Sequence, residues 1–72
     1  MITVGNLYHH VDDCSNLIQV LKLQMKTVID PQCPESVEVL TIVRYIFMTG
    51  INQGCTRWLS YKAFNKTWRA CS

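Results

Sequence analysis

Residues 12–30 read DDCSNLIQVLKLQMKTVID. Within this stretch Cys14, Leu17, Ile18, Leu21, Met25, Val28 and Ile29 recur at three- and four-residue spacing. A helix turns once per about 3.6 residues, so this spacing places them all on one apolar stripe. Gln19, Lys22, Gln24 and Lys26 fall off the stripe. Asp12, Asp13 and Ser15 are good N-terminal caps. Pro31 disfavours helical geometry in the residue before it, which stops the helix at Asp30. The stretch therefore predicts a first helix over 13–30.

Outward from it, residues 30–36 (DPQCPES) form a connection with two prolines. Pro34 suits the first turn of a second helix, where its missing N–H costs nothing. Glu35 and Glu38 suit the positive end of that helix. The second helix is predicted over 34–49, and its type is contested by its own residues. Val37, Val39, Thr41, Ile42, Val43 and Ile46 are β-branched and favour a strand. The apolar run 37–51 is longer than the roughly 4–8 residues of a buried strand, which favours a helix. Leu40, Val43 and Phe47 then form its stripe, with Ile46 beside it. A membrane span needs about 20 residues with few charges; this run holds Glu38 and Arg44 and reads as a buried helix.

Thr49-Gly50 and Asn52-Gln53-Gly54 mark a loop. A third helix is predicted over 55–70. Tyr61, Phe64, Trp68 and Cys71 share one face, Lys62, Lys66 and Arg69 another, and Trp58 lies between. Residues 1–8 (MITVGNLY) are short, with Gly5 as a break. The expected fold is all-α: one domain over 1–72, a three-helix up-down-up bundle with a short N-terminal extended tail. If residues 37–47 form a strand, the class becomes α+β.

Charge is unevenly distributed. The net charge is +2, and 17% of residues are charged against 49% hydrophobic, which suits a globular chain with an apolar surface. All acids (Asp12, Asp13, Asp30, Glu35, Glu38) precede Val39, and Arg44, Arg57, Lys62, Lys66 and Arg69 follow. That asymmetry suggests an anionic partner for the C-terminal part. The bland alternative is a solvated helix face. The start of the chain has no basic segment followed by an apolar run, as a signal peptide would.

Cys14, Cys33, Cys55 and Cys71 allow three pairings. In an up-down-up bundle Cys14 and Cys55 lie at one end and Cys33 and Cys71 at the other. The expected disulfides are therefore Cys14–Cys55 and Cys33–Cys71. Four reduced, buried thiols are the alternative, and they suit an intracellular protein where bridges suit a secreted one. His9, His10, Cys14 and Cys55 offer a tetrahedral donor set, but no C-x₂-C or H-x₃-H spacing supports it. No metal site, cofactor or catalytic residue is assigned. A Cys–His nucleophile would need a cleft that so short a chain hardly provides. Gly5, Gly50 and Gly54 form no phosphate-binding pattern. Asn65-Lys66-Thr67 is a glycosylation sequon, relevant only to a secreted chain.

The expected function is that of a non-enzymatic helical interaction module, an accessory or effector protein. Its contact surface would be the basic C-terminal helix: Arg57, Trp58, Lys62, Lys66, Trp68 and Arg69. A protein partner is expected first, because Trp and Arg are common interface anchors. An anionic surface (nucleic acid or membrane) and a homo-oligomer are further expectations. The alternatives are a secreted, disulfide-stapled helical ligand or toxin-like factor, and a dimeric nucleic-acid-binding module.

Overall fold

The computed structural model describes residues 1–71. Ser72, the last residue of the expected domain, lies outside them. The chain is mostly antiparallel β-sheet. Its elements are β1 (Leu7–His10), β2 (Asp13–Asp30), β3 (Cys33–Phe47), β4 (Thr56–Ser60), α1 (Tyr61–Thr67) and β5 (Trp68–Ala70). They form one five-stranded sheet in the order β4-β3-β2-β1-β5.

The all-α bundle is thus corrected. The span 13–30 is a strand, β2, of the same bounds. Of the span 34–49, residues 34–47 lie in strand β3, including 37–47. The span 55–70 divides into β4, the short helix α1 and β5. The extended tail is also corrected: residues 7–10 are an interior strand between β2 and β5.

The physical reason lies in a bulge. Val20 pairs with Tyr45 and Lys22 with Arg44, so Leu21 has no rung of its own. An extra residue shifts the two-residue alternation by one. Before it, the even positions Ile18 and Val20 face the core. After it, the odd positions Leu23, Met25, Thr27 and Ile29 continue that face, and Lys22, Gln24 and Lys26 take the other. Broken alternation mimics three- and four-residue spacing. Leu, Gln, Lys and Met are also good helix formers, and cross-strand pairing with a β-branched β3 overrides that preference.

Pro31 and Gln32 form the two-residue turn between β2 and β3. The Gln32 N–H donates to Asp30 Oδ1 at 2.9 Å, an Asx turn that closes the hairpin.

The helix lies over one face because it links the two edge strands, β4 and β5. A flat sheet of this width spans about 19 Å between those edges. The seven-residue helix is only about 10 Å long. The sheet therefore curls around the helix, and side chains from distant strands meet beneath it. Tyr45 of β3 and Trp68 of β5 lie edge to face at 5.6 Å. Phe64, fully buried on α1, meets Tyr8 at 5.2 Å and Tyr45 at 5.7 Å. Ile2, Ile18, Val20 and Val43 complete this core.

The chain before β1 is also tied down. Ile2 is buried, its N–H donates to the Tyr61 hydroxyl at 3.3 Å, and the Thr3 N–H donates to the Tyr8 hydroxyl at 2.9 Å.

Only the base of the long hairpin takes part in this. β4 pairs with β3 no farther than Ile42, and β1 pairs with β2 over Asp13–Gln19. From the Met25–Thr41 pair to the turn, β2 and β3 project as a two-stranded arm.

Candidate functional site

The expected contact residues do not form one surface. Trp68 is buried and belongs to the core. Its Nε1 has no hydrogen-bond partner. The Tyr45 hydroxyl lies near it without forming a hydrogen bond. Burial pushes the Tyr45 phenol up, and this contact and the charge of Arg57 only partly oppose it. Lys62 and Lys66 lie exposed on α1. Arg69 is exposed on the edge strand β5, where its guanidinium donates to the carbonyls of Asn65 and Trp68. Arg57 sits opposite Tyr45 at the sheet's other edge. Only Trp58 remains as an exposed aromatic.

Trp58 is drawn instead into a group that sequence reasoning assigned to other roles. Lys22, Arg44 and Trp58 stand side by side across β2, β3 and β4 on the face away from the helix. Lys26 Nζ lies 5.9 Å from the Trp58 ring centroid, a cation–π contact. Gln24, Met25, Lys26, Ile42, Arg44 and Trp58 line a shallow groove of about 370 Å³. Ile42 is the buried member; the cations are exposed. The signal for this group was the alternation of Lys22, Gln24 and Lys26, which the bulge at Leu21 obscured. Its cross-strand partner Arg44 needs the register and is not visible in the sequence.

The disulfide expectation is corrected. All four cysteines are free and exposed. Cys33 is at the arm tip, opposite Asp30, and Cys71 is beside Leu7 at the base, its N–H donating to the Leu7 carbonyl at 3.2 Å. The arm's length separates them, far beyond the roughly 7 Å limit for a bridge. The ends assigned to Cys14 and Cys55 depended on the bundle, which does not form.

The histidines have structural contacts. His10 lies edge to face against Trp68 at 5.3 Å, and His9 Nδ1 is 2.9 Å from the His10 carbonyl oxygen. Among the described residues there is no group of three or more His, Cys, Asp or Glu placed to hold a metal ion. None of their helices is long and apolar enough to cross a membrane.

Fold and groove together define a class: a small curled antiparallel sheet, closed on one side by a helix, with a projecting β-arm and a basic-aromatic outer face. No known protein family, curated protein or solved structure matches the chain.

Proposed function

We propose that the protein is a non-enzymatic interaction module that binds an acidic segment of another protein across the outer face of its sheet. The observation that carries this reading is the Lys22–Arg44 pair. Two like charges directly opposite each other destabilise a sheet, and here Arg44 is also the cross-strand neighbour of an exposed tryptophan. A carboxylate between them would relieve the repulsion. Trp58 would bury apolar surface, and Arg44 suits a bidentate carboxylate contact. Each exposed ion pair contributes only about 0.2–1 kcal/mol. Binding is therefore expected to be weak and strongly screened by salt.

The test is a fluorescence titration in a Trp68→Phe background, so that Trp58 reports alone. A polyglutamate peptide should change the emission saturably at low salt. Lys22→Gln and Arg44→Gln should each weaken that binding. Tighter binding of a single-stranded oligonucleotide would move the reading to nucleic acid, where tryptophan stacks on bases. No response to either polyanion would sink the outer face as a site.

A further inference from the structure

The molecule measures 44 × 22 × 21 Å, and the arm accounts for the long dimension. The arm is amphipathic. Its outer face carries the charges Lys26, Asp30 and Glu38, with Val28 and Leu40 between them. Its helix-side face carries Met25, Thr27 and Ile29 on β2, opposite Thr41, Val39 and Val37 on β3, with no charge among them. This apolar face continues the core outward, but α1 stops short of it. Met25 is 72% exposed, Ile29 57%, Val37 58% and Val39 53%. A two-stranded ribbon is marginal in water by itself, and a contiguous apolar face of this kind marks an interface.

We propose that this face is covered by the same face of a second copy. The two arms stack antiparallel about a two-fold axis, and each tip seats beside the other copy's helix. Absence of charge makes the face self-complementary, as a two-fold contact requires. Area and charge fix how far the arms overlap and in which direction. The ribbon offers a projected area of roughly 25 × 10 Å per copy. That is below the about 800 Å² per partner of a standard interface, and the proposed arrangement adds contacts of the tips beside the helix. Beside α1 lies a notch of about 600 Å³ lined by Val39, Thr41, Tyr61, Lys62 and Asn65 among others.

The orientation follows from charge. Glu35 lies near the tip of the arm, with Asp30 and Glu38 on the outer face, while α1 carries Lys62 and Lys66 and no acid. An antiparallel overlap brings acidic tip to basic helix. A parallel overlap sets acid against acid. The outer-face groove is on the opposite side of the sheet, so this proposal and the proposed binding function can fail separately.

Sedimentation velocity on the full chain over a micromolar concentration series tests it. The wild type should sediment as a dimer. Val39→Lys should be monomeric with an unchanged near-ultraviolet dichroism spectrum, because its charge stays in water in the monomer. Glu35→Lys should weaken the dimer by about tenfold, since each tip contact occurs twice. Adding Lys62→Glu to Glu35→Lys should restore it. A wild type that is monomeric throughout, or a Val39→Lys variant that remains dimeric, overturns the proposal. Failure of the double charge reversal to restore association overturns the antiparallel arrangement. A monomer that binds phosphatidylcholine vesicles through Val39 would show that lipid covers the face instead.

Discussion

Phe64 is the residue on which the core turns. It is fully buried on α1 and meets aromatic rings from β1, β3 and β5. Phe64→Ala should cost about 3–5 kcal/mol in urea unfolding, from lost burial plus the cavity left behind. Trp68→Phe should be far milder, below about 1.5 kcal/mol. It shrinks the ring but also removes a buried N–H that has no partner. Tyr45 sets the alkaline limit. Burial holds its phenol above the ordinary value of 10.0. A folded-state pKa raised above the unfolded one contributes stability that is complete below pH 10.0 and lost as pH rises toward the folded value. Wild-type stability should therefore fall above that pH, and Tyr45→Phe should flatten the fall in unfolding curves recorded along the alkaline limb.

At the scale of elements, α1 is too short to persist alone. It is held by the core beneath it and by its cap, where the Ser60 hydroxyl accepts the Ala63 N–H at 3.2 Å. Ser60→Ala should lower unfolding free energy by about 1 kcal/mol. The bulge in β2 gives a second prediction. Leu21 has no rung of its own, so deleting it leaves every later residue on its present face. Deleting Gln24 turns Met25, Thr27 and Ile29 to the outer face. The Leu21 deletion should keep native-like amide-exchange protection through the sheet, and the Gln24 deletion should abolish protection along the arm.

For the whole molecule, the long arm and the compact base have different demands. The base buries its aromatic cluster under α1, and the arm leaves its apolar side uncovered. If a second copy covers that side, the thermal midpoint should rise with protein concentration, because association stabilises only the folded chain. Val39→Lys should remove that dependence in a calorimetric dilution series.

What the sequence determined by itself was punctuation. Pro31 and the glycines at 50 and 54 mark where elements end, since proline has a fixed φ and no N–H, and both glycines adopt positive φ. The boundaries near 13–30 and 34–49 were legible for that reason. Element type was not. Leu17 to Met25 satisfy a helical stripe and a bulged strand equally well, and only pairing with β3 separates the two. The outer groove was hidden for the same reason, because Lys22, Arg44 and Trp58 are neighbours through register alone. Tertiary structure decided these points because strand pairing is a contact between distant residues, and its free energy appears in neither strand until the other is in place.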